Sequence, residues 1–291
     1  MGHPLMFLRG MATSVCWWRT HMHELLHYAF MQKAIIASIL VGLTCSLVGI
    51  VVVLKGMSFM GAGIAHASFA GVTLALLLGM EPFYFSLIFA VVVAIFIGYI
   101  ERRGGLKIDV PIGIMFSFTM ALAIMFIGLM KRYDPRVMNF LFGSVLSVSW
   151  KDIIYLAINL FLVLLFFILF FKELKFVIFD EELAEITGIP AGSIFYAFLI
   201  LLGLTISTSL SSVGVILVFA MIVIPSAAAY ELTHRFSLML FLSITFGVVS
   251  SLIGLYLSYQ FDIPSGASIV LVVSFFFFIS LLISPKRRRL R

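Results

Sequence analysis

Residues 33–54 read KAIIASILVGLTCSLVGIVVVL. After Lys33 the stretch holds no charged side chain, and it matches the length of about 20 apolar residues that one helix needs to cross a bilayer. In lipid the backbone must satisfy its own hydrogen bonds, so a run of this kind folds as an α-helix. It does not alternate polar and apolar residues, which excludes a strand of a membrane barrel.

Eight further apolar runs of similar length follow along the chain. They cover residues 60–79, 83–100, 110–130, 152–171, 193–210, 213–230, 237–257 and 265–284. The sequence therefore predicts an all-α integral membrane protein, a bundle of about nine transmembrane helices. Residues 137–149 are apolar but too short to span, and we expect an interfacial or re-entrant helix there.

Composition supports a membrane protein. Of the 291 residues, 63% are hydrophobic and 11% are charged, whereas a soluble domain is about 45–50% apolar and about 25% charged. This excludes a soluble enzyme and a nucleic-acid module. The net charge of +6 lies mostly in short gaps between the apolar runs, so we expect membrane lipid and no nucleic acid as a partner.

The distribution of lysine and arginine predicts the orientation. Cytoplasmic loops carry an excess of these residues. Placing the C-terminus inside puts twelve of them on the inner side and seven on the outer side. Residues 31–285 form the predicted transmembrane domain, and residues 286–291 form a basic cytoplasmic tail.

Residues 1–30 differ from the rest of the chain. We expect an N-terminal extension that is either a mis-assigned start or an ill-ordered segment, since Met22 and Met31 both fit as first residues. The stretch lacks the basic, apolar and small-residue order of a signal peptide.

The same segment contains His23, Glu24 and His27 in the spacing H-E-x-x-H. On a helix this spacing puts two imidazoles on one face with a glutamate beside a metal-bound water, as in zinc metalloproteases. A membrane metalloprotease is therefore one alternative. A third ligand is needed, however, and the predicted spans hold no Asp or Glu near their middle. Chance, or weak metal binding by His23 and His27 at an external N-terminus, explains the spacing better.

His66 is the one histidine inside a predicted span. Polar groups in lipid are costly and usually face a cavity or pathway, and imidazole is a common transition-metal ligand. The alternative is a structural histidine hydrogen-bonded to a neighbouring helix. Ala62, Ala70 and Thr73 lie within helical reach and are not strong ligands, so a metal here needs donors from another helix or subunit.

The link between the fifth and sixth spans has the signals of a short acidic helix. Asp180 is a good N-cap and Gly188, before Pro190, suits a helix stop. Acidic side chains favour the first turn. We predict a coupling helix that docks in a groove of a soluble partner, or else a solvated turn. Its residues are Asp180, Glu181, Glu182, Leu183, Ala184, Glu185 and Gly188, with Leu183, Ala184 and Ile186 as the docking residues.

Two prolines mark the later spans. Pro225 must break or kink the seventh span, either to line a transport site or as an ordinary packing device. Residues 262–266 form a turn in which Asp262 or Ser265 caps the last helix. The chain has no phosphate-binding Gly-x-x-x-x-Gly-Lys-Ser/Thr loop, so we expect no catalytic residue and no ATP hydrolysis by this chain.

Residues 31–285 resemble the membrane permease of metal-ion ABC importers, the zinc/manganese/iron (ABC-3) family. The resemblance rests on blocks that occur in the family's order. They are residues 54–59, 61–68, 109–114, 140–146, 180–188, 223–228 and 262–267.

The resemblance implies a type II, cobalamin-importer-like permease architecture in the cytoplasmic membrane of a prokaryote. It implies a homodimer around a central pathway, ABC ATPase subunits that bind ATP below, and an extracytoplasmic metal-binding protein outside. The cargo would be divalent zinc, manganese or iron, with His66 on its pathway and residues 180–190 as the coupling helix. The family often carries an aspartate four residues before the histidine. Ala62 stands there, which removes a hard oxygen ligand.

Two more alternatives remain. The cargo could be a metal chelate such as a siderophore or cobalamin, although a bulky cargo needs a wide polar pathway and the spans hold few polar residues. An ion-coupled secondary carrier would need buried carboxylates, which the predicted spans lack.

Overall fold

The computed structural model describes residues 29–104, 108–130, 134–143, 145 and 148–288. The His23–His27 motif lies outside these residues. The described part of the chain is helical and contains no strand. Its nine membrane-length helices are α1 (Ala29–Leu54), α2 (Met60–Leu78), α3 (Pro82–Gly104), α4 (Asp109–Leu129), α6 (Trp150–Leu169), α9 (Ala191–Val213), α10 (Val215–Leu232), α11 (Phe236–Phe261) and α12 (Ser265–Ile283).

These nine helices confirm the nine predicted spans. The ends differ by a few residues because apolar side chains alone do not fix a boundary: α1 begins at Ala29, and α11 continues to Phe261. Four shorter helices complete the described chain. They are α5 (Arg136–Phe142), α7 (Phe171–Phe179), α8 (Glu181–Ile186) and α13 (Pro285–Arg288). The sequence did not predict α7 as a separate helix.

The predicted helix over 137–149 is shorter than expected. Helix α5 ends at Phe142, and Gly143 takes a φ of +74° that turns the chain. A Cβ at Gly143 would lie 1.9 Å from the carbonyl oxygen of Val213. The Val145 N–H donates to Ser265 Oγ at 3.1 Å, so Val145 is held against the start of α12.

Helices α1, α2, α9 and α10 form the centre of the bundle, because most of their residues are buried. Helices approach closely there at glycine: a Cβ on Gly49 of α1 would lie 1.9 Å from the carbonyl oxygen of Ile222 in α10. Buried hydroxyls also link helices. Ser86 of α3 lies 2.7 Å from Ser68 of α2 and 2.7 Å from Ser207 of α9. Small residues and hydroxyl pairs are typical of helix contacts in membranes.

The bundle has two ends, named here after one residue of each. The Lys55 end holds Lys55, Arg102, helices α7 and α8, and the start of α11. The Glu81 end holds Glu81 and the start of α6. Between the two ends the outer faces are apolar, as lipid contact requires.

Two predicted irregularities take a different form. Helix α10 continues through Pro225, which is buried, so the chain is kept helical there; of the two predicted forms, a break is not seen and a kink stays a prediction. Asp262 does not cap α12. It ends α11 instead, in the left-handed conformation with a φ of +58°, and Pro264 rather than Ser265 occupies the N-cap position of α12.

The contact at Gly49 gives a test of the packing. Gly49→Ala should force α1 away from α10, because its methyl group would overlap a backbone oxygen rather than a flexible side chain. Overpacking of this kind costs about 1–3 kcal/mol. We expect a lower apparent melting temperature of the detergent-purified chain. Gly128→Ala is the matched control, since a Cβ there meets nothing within 4 Å. Equal melting temperatures for the two variants would contradict the packing.

Candidate functional site

From Gly61 to Thr73, helix α2 is packed on all sides except at two residues. Between Gly61 and Thr73 every residue is buried apart from Ala62 and His66, which are partly exposed. Residues four apart lie on the same face of a helix. The exposed surface of this part of α2 is therefore one short strip formed by Ala62 and His66, which lie one turn apart. We call these two residues the α2 opening.

The His66 ring has one aromatic neighbour and one unused nitrogen. It meets the Phe116 ring of α4 edge-on, with centroids 4.5 Å apart and an interplanar angle of 75°. Its buried Nδ1 has no hydrogen-bond partner among the described residues. An unpaired buried polar atom costs free energy. A structural histidine would form a hydrogen bond to a neighbouring helix. Nδ1 of His66 forms none with the described residues.

The chain offers His66 few companions. The described residues contain no group of three or more His, Cys, Asp and Glu side chains that could hold a metal ion. Met57 and Met60 are softer donors nearby in sequence, but both are buried in the core, at 1% and 0% exposure. Within the described part of one chain, the residues around His66 therefore do not complete a metal site.

Small side chains line the neighbouring face of α4. Gly113, Ser117 and Ala121 recur every four residues, and all three are exposed. A Cβ on Gly113 would meet nothing within 4 Å. Small residues at this spacing let another membrane helix approach closely. The α4 face therefore has room for a further helix.

Helix α8 forms where the sequence predicts a short acidic helix. The Asp180 carboxylate accepts a hydrogen bond from the Leu183 N–H at 2.9 Å, which makes it the N-cap. Gly188 takes a φ of +84°, and the Ile189 N–H donates to the Ala184 carbonyl at 3.0 Å. Asp180 thus caps the beginning of α8 and Gly188 follows its end, as the sequence predicts.

The predicted docking stripe of α8 needs one correction. Ala184 is fully buried, so it packs α8 onto the bundle and is not free to dock. Leu183 and Ile186 are 46% and 81% exposed. The apolar surface that α8 offers to a partner therefore consists of Leu183 and Ile186.

Ion pairs hold α8 against two transmembrane helices. Lys55, directly after α1, donates to Glu181 at 2.5 Å, and Arg102 of α3 donates to Glu181 at 2.6 Å. Arg102 also donates to Glu185 at 2.9 Å. We call these four residues the latch. Exposed ion pairs contribute little alone, but shared carboxylates form a network that is harder to break.

The latch shifts the acidity of its central carboxyl group. Burial by itself would raise the pKa of Glu181, but the hydrogen bond from Lys55 and the charges of Lys55 and Arg102 outweigh it, so the pKa lies below its usual 4.5. A lowered pKa means that the latch stabilises the folded chain above that usual value. The contribution is lost only as the pH falls through the lower folded value.

The sequence does not predict two members of the latch, Lys55 and Arg102. Their contacts lie 126 and 79 residues away along the chain, and helical periodicity does not report such distances. The signal that the sequence does hold is charge, since both are basic residues in short gaps between apolar runs and their partners belong to an acidic helix.

The remaining candidate residues do not join either site. Pro225 is buried within α10, whose Ile222 packs beside Gly61. Asp262 is exposed where α11 ends, and a gating role for it stays a prediction. His23 and His27 lie outside the described residues.

A polar cavity of about 420 Å³ lies at the Glu81 end. Two carboxylates and a lysine face it, from Glu81, Asp152 and Lys151, together with the hydroxyls of Tyr155 and Ser211. Asp152 also closes the first turn of α6, where it pairs with the Ser149 backbone and side chain. This end therefore has a concave surface with both signs of charge.

Comparison with solved structures defines the class of protein. A chain of PsaBC from Streptococcus pneumoniae, determined in complex with Fab, matches with a TM-score of 0.81 and 38% identity, over 92% of this chain and 96% of that one. A protein described as a metal-chelate type ABC transporter, in an inward-facing conformation, shares the fold with a TM-score of 0.72 and 16% identity, over 87% and 85% of the two chains. The fold is that of a type II ABC transporter permease, as predicted.

Comparison of sequences then gives the family. The model of the ABC 3 transport family matches residues 27–284. The manganese transport system membrane protein MntC of Halalkalibacterium halodurans is 42% identical over 265 residues, 91% of this chain and 90% of that protein. A "Probable iron transport system membrane protein" of Haemophilus influenzae is 35% identical over 268 residues, 91% and 98% of the two chains. The chain belongs to the ABC 3 transport family, which confirms the resemblance in its sequence.

The latch predicts a local change in stability. Glu181→Gln removes the charge that Lys55 and Arg102 share, so α8 should open more often. An exposed pair contributes up to about 1 kcal/mol, and we expect amide hydrogen exchange in 181–188 to quicken about fivefold. Glu182→Gln is the control, because Glu182 on the same helix makes no ion pair with described residues. Unchanged exchange in Glu181→Gln would contradict the latch.

Proposed function

We propose that this chain is the transmembrane permease subunit of an ATP-driven importer that moves a divalent transition-metal ion across a prokaryotic cytoplasmic membrane. The observation that carries the proposal is the α2 opening, where a buried ring nitrogen of His66 lacks a partner among the described residues. Imidazole is the commonest protein ligand of transition metals. The names of the relatives favour manganese as cargo, with iron and zinc in the same chemical class.

The proposal places two copies of the chain around the pathway. One imidazole does not complete the coordination of a metal ion. A second copy of the chain, packed on the α4 face that carries small residues, would bring a second His66 toward the same opening. Helix α4 suits this role because only 17% of its apolar window is buried, the smallest share of the nine helices. Since Ala62 supplies no oxygen ligand, water would complete the coordination of the ion.

The proposal also assigns the two ends. The Lys55 end faces the cytoplasm with the C-terminus, following the excess of lysine and arginine there. ABC ATPase subunits, which bind the ATP, would contact Leu183 and Ile186 of α8. An extracytoplasmic metal-binding protein would deliver the ion at the Glu81 end. This chain binds no cofactor of its own, and its role is transport rather than catalysis.

The latch gives the ATPase a mechanical route to the pathway. Movement of α8 pulls on Arg102 and therefore on α3. Helix α3 is bonded to α2 through the Ser68–Ser86 hydroxyl pair at 2.7 Å. Helix α2 carries His66, so a displacement at α8 would reach the α2 opening through one intermediate helix.

Removing the imidazole tests the site. His66→Ala should lower uptake of manganese more than tenfold in bacterial cells that lack their own manganese importers and express this chain with its ATPase. Co-purification of the ATPase should be unchanged. His234→Ala is the control, because His234 is an exposed histidine at the Lys55 end. Equal uptake by wild type and His66→Ala would remove His66 from the pathway.

Restoring a carboxylate tests the geometry. Ala62 is partly exposed one turn before His66, so Ala62→Asp would place an oxygen ligand on the same strip. We expect tighter manganese binding by the purified chain in equilibrium dialysis, since manganese prefers oxygen donors. The control is Ala70→Asp, four residues after His66 at a buried position. No gain in binding, or an equal gain in both variants, would count against the α2 opening as a metal site.

A further inference from the structure

Helix α7 presents an unusual outward face. Leu174, Val177 and Ile178 are its buried residues and pack it onto the bundle. On the opposite side are two phenylalanines, Phe176 and Phe179, with 47% and 68% of their surface exposed. The lysines 172 and 175 lie on that same side. A short helix with aromatic and basic residues on one face is typical of the boundary between headgroups and acyl chains.

This face continues into a groove of about 430 Å³ between α7 and α8. Its lining consists of Lys172, Lys175, Phe176, Phe179, Asp180 and Leu183. The Asp180 carboxylate is engaged as the N-cap of α8. The surface inside the groove is apolar, so Lys172 and Lys175 line it with their alkyl chains and carry their charges beside it.

The two lysines have no carboxylate partner among the described residues. Lys175 Nζ lies 4.3 Å from the ring centroid of Phe171 and 5.4 Å from that of Phe236. These rings hold the ammonium group in place without neutralising its charge. Lys172 is exposed. Both charges remain available to an anion.

The groove is continuous with the lipid-facing surface of the bundle. Helix α6 ends in Ile168 and Leu169, 75% and 61% exposed, and α7 begins two residues later at Phe171. A membrane-length helix turns such an exposed apolar face to acyl chains. Phe176 and Phe179 extend that surface to the level of Lys172.

We propose that this groove binds an anionic phospholipid, with the headgroup phosphate on Lys172 and Lys175 and an acyl chain against Phe176 and Phe179. Opposite charge selects the headgroup, and the exposed phenylalanines select an amphiphile over free phosphate. Because Leu183 and Asp180 of α8 form one wall, a bound lipid would touch the helix that the latch holds. The inference rests on the fold, and the proposed orientation decides only which leaflet supplies the lipid.

A soluble protein partner is the competing occupant. The apolar surface of α8 at Leu183 and Ile186 is flanked by Glu182 and Glu185, whereas the α7 groove is flanked by lysines. Continuity with the lipid-facing side of α6 favours lipid for the groove. A partner that binds α8 would share Leu183 with the groove and would also contact Ile186, which does not line it.

The test counts lipids on the full chain. The purified chain is equilibrated in mild detergent with equal amounts of phosphatidylglycerol and phosphatidylcholine, and the lipids that stay bound are counted by native mass spectrometry. Wild type should retain phosphatidylglycerol. A lysine near an anionic lipid strengthens binding about fivefold, so Lys172→Gln/Lys175→Gln should weaken retention by more than tenfold. Lys172→Arg/Lys175→Arg should preserve it.

The control removes two lysines at the Glu81 end, as Lys33→Gln/Lys151→Gln, which changes net charge equally. Retention unchanged in Lys172→Gln/Lys175→Gln, or lost equally in the control, overturns the proposal. If Lys172→Gln/Lys175→Gln keeps the lipid but loses binding of the ATPase, the proposal is also overturned, and the groove is assigned to the protein partner. Metal uptake does not enter this measurement, so its result is independent of the proposed transport function.

Discussion

The absence of water inside the membrane is the constraint on which the structure depends. Backbone groups are satisfied within helices, and side-chain hydroxyls pair between them, as Ser86 does with Ser68 and Ser207. Few polar atoms escape this rule. Buried Ser38 Oγ, Ser46 Oγ, Asn159 Oδ1 and His66 Nδ1 lack partners among the described residues. Of the four residues, His66 combines an unpaired ring nitrogen with partial exposure on a stretch of helix whose other residues, apart from Ala62, are buried. It is therefore the strongest candidate for a functional residue.

Helix α3 links α8 to α2. Near its end Arg102 donates to α8, and near its beginning Ser86 is paired with the Ser68 hydroxyl of α2. Glu181 is shared by Lys55, directly after α1, and Arg102 of α3, so a displacement of α8 would act on the ends of both helices. The arrangement makes α8 part of the transmembrane bundle rather than a loose appendage of it.

The sequence predicts the bundle well because lipid imposes a length and a polarity on each span. It also predicts α8, since Asp180 and Gly188 act on their immediate neighbours. It does not predict that Ala184 faces inward, that Gly49 packs against Ile222, or that Lys55 meets Glu181. Each of these depends on contacts between segments far apart in the chain. The composition of a single segment does not predict such contacts. His66 was found from sequence because one ionisable ring in an apolar run is visible without any knowledge of packing.

Because the residues of α2 around Ala62 and His66 are buried, they limit where this helix could contact a crossing ion. Four residues of helix rise about 6 Å, so α2 contributes chemistry at one level of a bilayer whose hydrocarbon core is about 30 Å thick. If the α2 opening binds the ion as proposed, a permeating ion would meet one binding site on this helix rather than several in series. One site sets no direction by itself, so on that proposal the direction of movement would come from the order in which the two sides of that level open.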